Sequence, residues 1–189
     1  GSGQNLYINW DEGGYSQDEQ ETIEVETWAE AVNAINNAST AKEYFIACRD
    51  TEAITLTGAL TIPANVDIRL YETPSFTVAN GATLTLMDDR NMSCSSNLYL
   101  TKGDFIVENG GTVNTTYRGR NDGNRYYPSL RGVNVTFKSG AALNIPEDAL
   151  LSIHPSYYYV DGEAELSVLT FEEGSTVNNQ GNLNANDFD

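Results

Sequence analysis

Arginine and tyrosine side chains are concentrated in two stretches of the sequence, residues 116–131 and 146–162. Together these stretches hold six of the eleven tyrosines, and four of the ten basic residues lie within the first of them. A tyrosine ring offers a flat apolar face and arginine a planar set of donors, which suits stacking on sugar rings and pairing with carboxylates. The sequence therefore predicts a site for a glycan or protein ligand. Its residues are Tyr117, Arg118, Arg120, Arg125, Tyr126, Tyr127, Tyr157, Tyr158 and Tyr159.

The two stretches also allow a structural interpretation, which the sequence leaves open. Long insertions need anchoring, so the tyrosines would pack them onto the body of the protein while the arginines offset nearby carboxylates. Both stretches follow the same predicted strand in successive copies of a repeat. We therefore expect them to lie at one edge of the fold.

Catalytic chemistry has few candidates. Asp88 and Asp89 form an acidic pair, but Thr116 and Tyr117 stand at the matching position of the next repeat, which favours a solvated loop. The single histidine, His154, has no serine or cysteine partner in a recognisable motif, which favours a loop histidine without a catalytic role. We expect no catalytic residue and no cofactor.

Residues 121–124 have the composition of a calcium-binding loop. Arg118, Arg120 and Arg125 flank them, and these charges oppose a bound cation. The later glutamate of a helix-loop-helix calcium site is also missing. We therefore expect no metal site.

Charge and composition limit the partners. A formal net charge of -17 would repel nucleic acid and anionic lipid, and no apolar run has the roughly 20 residues of a membrane span. We expect one domain, with no nucleic-acid partner and no membrane insertion in this segment. The sequence does not decide whether Cys48 and Cys94 are unpaired thiols or a disulfide.

A repeated unit is the most informative feature of the sequence. In each copy, apolar residues stand five and three positions before a glycine and three positions after it, with mostly polar residues between them. This pattern predicts a strand, a sharp bend at a residue with left-handed backbone, and a second strand. The copies occupy residues 76–85, 105–114, 135–144 and 169–178, and their shared glycines are Gly81, Gly110, Gly140 and Gly174. Residues 60–70 are predicted to form an abbreviated first coil.

Stacked copies would bury their apolar residues in shared columns, because one copy cannot bury its apolar side alone. One predicted column contains Val78, Val107, Phe137 and Phe171, and another contains Leu84, Val113, Leu143 and Val177. Asn114, Asn144 and Asn178 share one register. They form either an amide ladder or a row of separate solvent-facing side chains.

The ends of the repeat array differ. Thr27 and Glu30 fit a capping box, and apolar residues then recur at helical spacing to Ala38, which predicts an amphipathic helix closing the amino-terminal end with Trp28 as a plug. No comparable cap is predicted at the other end. We expect residues 1–26 to be a tag remnant and acidic lead-in, and residues 27–189 to form a capping helix and a β-solenoid that is a fragment of a longer protein.

The helix, the Leu60-Thr-Ile-Pro-Ala-Asn65 strand entry and the repeated unit together resemble right-handed parallel β-helix domains of the pectin-lyase-like class, found in bacterial adhesin-like surface proteins. The resemblance covers roughly residues 27–182. It implies an all-β fold, a right-handed parallel β-helix (β-solenoid) with an amino-terminal capping helix. Proteins of this architecture include lyases, glycosidases, adhesins and passive stalks, so the fold alone does not fix an activity.

The resulting functional hypothesis is a non-catalytic module located outside the cell or on its surface. It would act as an adhesin-like spacer that displays loops to a glycan or a cell-surface protein. The alternatives are a carbohydrate-active enzyme of the polysaccharide lyase or glycosidase kind, or its accessory domain, and a purely structural stalk.

Overall fold

The computed structural model describes residues 20–87, 96–116, 128–156, 159–160, 162–164, 166–185 and 188. Short parallel strands dominate these residues, and one helix lies near their amino-terminal end. In chain order the elements are β1 (Gln20–Val25), α1 (Trp28–Asn37), β2 (Glu43–Cys48), β3 (Ile54–Leu56), β4 (Ala59–Ile62), β5 (Val66–Leu70), β6 (Ser75–Val78), β7 (Thr83–Leu86), β8 (Asn97–Leu100), β9 (Asp104–Val107), β10 (Thr112–Thr115), β11 (Ser129–Gly132), β12 (Val135–Phe137), β13 (Ala142–Ile145), β14 (Leu150–Pro155), β15 (Tyr159–Val160), β16 (Glu163–Ala164), β17 (Leu169–Phe171), β18 (Thr176–Asn179) and β19 (Asn182–Asn184).

The strands form three parallel sheets and one small antiparallel pair, β15 with β16. Sheet I has the order β1-β2-β5-β8-β11-β14-β19, sheet II has β3-β6-β9-β12-β17, and sheet III has β4-β7-β10-β13-β18. The chain visits sheets I, II and III in turn and then begins again, as in β2, β3 and β4 followed by β5, β6 and β7. The fold is therefore all-β and solenoid-like.

The first coil is longer than the sequence predicted. Residues 60–70 are not an abbreviated coil: Ala59–Ile62 ends one three-strand coil and Val66–Leu70 begins the next. Gly58 stands between β3 and β4, but its φ is not positive, and the apolar residues stand four and two positions before it and two after it. The sequence pattern therefore detected the coil only at its last strand.

Both predicted apolar columns are confirmed. Val78 pairs with Val107, Val107 with Phe137, and Phe137 with Phe171. The second column is paired in the same way along sheet III. Aromatic rings also stack between coils, with centroids 5.7 Å apart for Phe76 and Phe105 and 4.9 Å apart for Phe137 and Phe171. The core thus consists of columns of apolar side chains, in which each coil contributes one residue to each column.

Polar ladders fix the register between coils. The repeat glycines have φ between 82° and 93°, and the N–H of each donates to the carbonyl of the next along the chain: Gly81 to Gly110, Gly110 to Gly140 and Gly140 to Gly174. The predicted amide ladder is also present, since Asn178 Nδ2 donates to Asn144 Oδ1 (2.7 Å) and Asn144 Nδ2 to Asn114 Oδ1 (2.9 Å).

The predicted cap is present at the amino-terminal end. Thr27 and Glu30 form the capping box of α1, and Ala31 and Ile35 are the buried residues of the helix. The Trp28 ring meets Phe76 edge to face, with centroids 5.1 Å apart. The helix thus takes the place that strands of sheets II and III occupy in the later coils.

Strand β1 lies upstream of this cap, within the stretch that the sequence analysis set aside as a lead-in. It pairs with β2 over its whole length. Ile23 and Val25 pack against the core, whereas Glu21 and Glu24 are exposed. The many acidic residues in this stretch hid the short alternation of a sheet-edge strand.

Two further expectations concern cysteine and the membrane. The Cys48 thiol is free and fully buried inside β2, and burial raises its pKa. Cys94 lies outside the described residues. Within the described ranges, no helix has the length and apolar character needed to cross a membrane.

Candidate binding surface on sheet I

Most residues expected to form the binding site are not among those that the structure describes. Tyr117, Arg118, Arg120, Arg125, Tyr126, Tyr127, Tyr157 and Tyr158 lie outside the described residues, and only the backbone of Tyr159, in β15, is described. Thr116 and Pro146, which begin the two stretches, line one cavity beside β10 and β13. The second stretch is not a single insertion, because Leu150–Pro155 forms β14 and pairs in parallel with β11. That the predicted site residues share one edge stays a prediction. Pro128 precedes the start of β11, whereas Ser156 follows the end of β14.

The outer face of sheet I is the surface that the described strands present. Along β5, β8 and β11, side chains alternate between buried positions that face the core and partly exposed positions that face outward. The outward positions form two columns in register. One contains Phe45, Asp67, Asn97, Ser129 and Ser152, and the other contains Ala47, Arg69, Tyr99, Arg131 and His154.

Cations and aromatic rings alternate on this face. The Arg69 guanidinium carbon lies 5.2 Å from the ring centroids of both Phe45 and Tyr99, and that of Arg131 lies 5.2 Å from the Tyr99 centroid on the other side. Each such contact contributes about 0.5–1 kcal/mol at an exposed site, and more where water is excluded. The stack therefore holds two planar donors and one ring in fixed positions on adjacent strands.

A hydrogen-bonded row runs beside this stack. Asn97 Nδ2 donates to Asp67 Oδ1 (2.8 Å), and Ser129 Oγ donates to Asn97 Oδ1 (2.7 Å). These bonds fix three outward side chains on β5, β8 and β11. Since small polar groups line the stack, a flat ligand could lie on Tyr99 while its polar atoms meet the row.

The electrostatic balance of the face favours an anion. Among the described residues, no carboxylate forms an ion pair with Arg69 or Arg131, and Arg69 Nε is buried without a hydrogen-bond acceptor. Asp67 is the one carboxylate on β5, β8 and β11 that faces outward. Burial raises its pKa, although the hydrogen bond from Asn97 and the charges of Arg69 and Arg131 oppose this.

The raised pKa of Asp67 makes a prediction about stability. A group whose pKa is raised by folding stabilises the fold fully below its usual value, near 3.8, and this contribution is lost as the pH rises through the raised value. Asp67→Asn keeps a neutral group at every pH. We therefore expect it to have a higher thermal unfolding midpoint than the wild type at pH 7, with a difference that shrinks towards pH 3.5.

Glu52→Gln is the matched control, because it removes one negative charge from an exposed position. Its midpoint should stay close to that of the wild type across the same pH range. Thermal unfolding followed by circular dichroism from pH 3.5 to pH 8 measures both. A midpoint of Asp67→Asn below that of the wild type at pH 7 would contradict a net cost of burying this carboxylate.

His154 lies on a strand, which corrects the expectation of a loop histidine. It belongs to β14, and its Nε2 atom lies 2.7 Å from Ser152 Oγ. A serine–histidine pair can supply a nucleophile and a base. Ser152 is only 1% exposed, so its hydroxyl is closed to a substrate in this conformation.

Other catalytic and metal candidates gain no further support. Asp88 and Asp89 lie outside the described residues, as do residues 121–124. In the part of the chain that the structure describes, no three His, Cys, Asp or Glu side chains come together as a metal site would require. The expected lack of a catalytic residue, metal or cofactor stays a prediction.

Sequence reasoning missed the stack on sheet I, although a signal for it exists. The residues occupy the centres of three similar triplets, Ile68-Arg69-Leu70, Leu98-Tyr99-Leu100 and Leu130-Arg131-Gly132. Each triplet precedes a copy of the repeat, but by a different number of residues. Aligning the strand upstream of each copy, with a variable gap, would have brought Arg69, Tyr99 and Arg131 into one column.

Comparison of the chain with protein-family models, with curated proteins and with solved structures found no match. The functional case therefore depends on the geometry and charge of the surface itself.

Proposed function

We propose that the three sheets wind as a right-handed parallel β-helix of the pectin-lyase-like kind. The support is the topology. After each strand of sheet I from β2 to β14, the chain forms a strand in sheet II and a strand in sheet III, and then returns to a parallel neighbour in sheet I. Connections between parallel strands of one sheet are right-handed in nearly all proteins, because the strand twist favours that hand.

We further propose that this helix is a non-catalytic extracellular or cell-surface module, a rigid adhesin-like spacer that binds an acidic glycan on the outer face of sheet I. The observation that carries the proposal is the Arg69–Tyr99–Arg131 stack. It places cations in register on a protein whose net charge is -17. In so acidic a chain, a surface of arginine and aromatic side chains that form no ion pair with a described carboxylate indicates an anionic ligand.

The ligand class follows from the spacing and shape of the stack. Arg69 and Arg131 lie two strands apart, or about 10 Å along the solenoid axis. A ligand extended along this axis would meet one guanidinium, then a flat ring, then a second guanidinium. Sugar rings that carry carboxylates offer both partners, since their apolar faces stack on tyrosine and their carboxylates pair with arginine.

A binding screen against acidic polysaccharides and a glycan array tests the proposal. The Arg69→Gln, Arg131→Gln double variant should bind at least tenfold more weakly than the wild type, and raising the salt concentration should weaken wild-type binding. Arg49→Gln is the matched control, since Arg49 lies outside the stack, beside Tyr71 and 3.7 Å from Glu24. It should retain most of the binding.

Other outcomes of the screen count against the proposal. Equal binding by the wild type and the double variant would exclude the stack as the site. No binding by either protein would favour a purely structural stalk. A Tyr126→Ala, Tyr127→Ala variant tests the predicted loop site separately, because it replaces no residue of the stack.

A further inference from the structure

The carboxyl-terminal end of the solenoid exposes apolar side chains. Leu166, Val168 and Val177 are 72%, 42% and 41% exposed, and they are the large hydrophobic residues of the described ranges that stand out as exposed. Val177 belongs to a column whose other predicted members are fully buried. All three lie in or just before the last described coil, and exposed apolar residues that form a patch mark interaction surfaces.

The two ends of the solenoid are closed to different extents. Helix α1 covers the amino-terminal end, and its own residues Ala31 and Ile35 are buried. At the other end, Ala185 and Phe188 pack against the core, yet all four residues of β18 remain exposed. Strands β17 and β18 are the last strands of sheets II and III, so their outer edges have no neighbouring strand among the described residues.

Both polar ladders also end with an open group. Each repeat glycine donates its N–H to the next glycine carbonyl, and the Gly174 N–H has no acceptor in the described part of the chain. Asn178 donates to Asn144, and Asn178 Oδ1 receives no donor there. The last coil therefore presents one glycine donor and one amide acceptor, which a further coil would satisfy in register.

The charges beside the repeat glycines indicate which residue would fit next to Glu172. Glu108, Lys138 and Glu172 each stand two positions before a repeat glycine, and Lys138 Nζ lies 3.4 Å from Glu108 Oε2. Glu172 follows Phe171, which pairs with Phe137, and so stands opposite Lys138. The signs alternate along the column, so a lysine or arginine is the complementary residue beyond Glu172.

We propose that the open edge of β17 and β18 binds a strand–glycine–strand segment of a partner protein, which adds to sheets II and III in parallel. The segment carries apolar residues opposite Phe171 and Val177, a basic residue opposite Glu172, and asparagine opposite Asn178. Strand addition at an exposed sheet edge is an established mode of peptide recognition. This surface is separate from the face of sheet I, so either proposal can fail alone.

A second copy of the chain fits this edge less well. Helix α1 closes the amino-terminal end, so stacking of one copy's tail on another's head is blocked. Two joined tails would instead bring together two molecules that each carry a charge of -17.

A synthetic peptide of residues 134–145, acetylated and labelled, is the probe, because it contains one strand–glycine–strand unit with Lys138, Gly140 and Asn144. Fluorescence anisotropy should show saturable binding to the full chain. Hydrogen–deuterium exchange should slow for the amides of β17 and β18. The Lys138→Glu and Gly140→Val peptides should bind at least tenfold more weakly, through charge repulsion at Glu172 and loss of the bend.

Protein variants complete the test. Val177→Asp should weaken peptide binding at least tenfold, and Leu166→Asp, at a still more exposed position, serves if the first variant fails to fold. Equal binding of all three peptides, or protection of β1 in place of β17 and β18, would overturn the proposal. Sedimentation showing a dimer that Val177→Asp dissociates would identify a second copy as the occupant and overturn it as well.

Discussion

Replacing Phe105 with alanine is expected to lower the free energy of unfolding by about 3–5 kcal/mol, the usual cost of deleting a buried phenylalanine ring. The side chain is fully buried in the middle of the stack, between Phe76 in the preceding coil and Val135 in the following one. Its ring is stacked on that of Phe76, and the two ring planes are within 10° of parallel. The cavity would therefore open between two coils, where neighbouring residues on both sides are held by strand pairing.

Thermal unfolding measures this loss as a fall of roughly 6–20 °C in the midpoint, given about 2–4 °C per kcal/mol for a domain of this size. Ile106→Ala is the matched control, because it shortens an apolar side chain on the same strand at a partly exposed, outward position. Its cost should be about 1 kcal/mol or less. Similar midpoints for the two variants would contradict a core that is built from stacked coil interiors.

Local patterns explain why the coil interiors could be predicted from the sequence. Alternating apolar residues on either side of a glycine determine which side chains face inward, and the shared glycine aligns one copy with the next. The pairings of Val107 with Phe137 and of Asn114 with Asn144 follow directly. Both require only that copies stack in register, which no insertion between them can disturb.

Features that depend on distant residues could not be predicted in the same way. Strand β14 lies inside a stretch that looked like one long insertion, and only its pairing with β11 reveals it. The stack on sheet I was also hidden, because chain segments of different lengths separate Arg69, Tyr99 and Arg131 from the repeat glycines that were aligned.

The repeat glycines permit a prediction that separates backbone strain from steric contact. Gly81 and Gly110 have nearly the same backbone, with φ of 83° and 82°. A Cβ atom at Gly81 would meet nothing within 4 Å, whereas at Gly110 it would lie 2.5 Å from Asn80 Oδ1. Gly81→Ala should therefore cost about 1–2 kcal/mol, the penalty of a left-handed backbone for an L-residue, and Gly110→Ala should cost about 1 kcal/mol more.

A double-mutant cycle with Asn80→Ala tests the source of the difference. If the clash with Asn80 is the cause, adding Asn80→Ala to Gly110→Ala should recover about 1 kcal/mol, so that the remaining cost approaches that of Gly81→Ala. Urea unfolding of the wild type, the two single variants, the double variant and Gly81→Ala supplies the free energies. No recovery would assign the extra cost to the glycine ladder itself, in which Gly110 both donates to Gly140 and accepts from Gly81. Either result separates the two reasons for glycine at this position, its left-handed backbone and the close contact between coils.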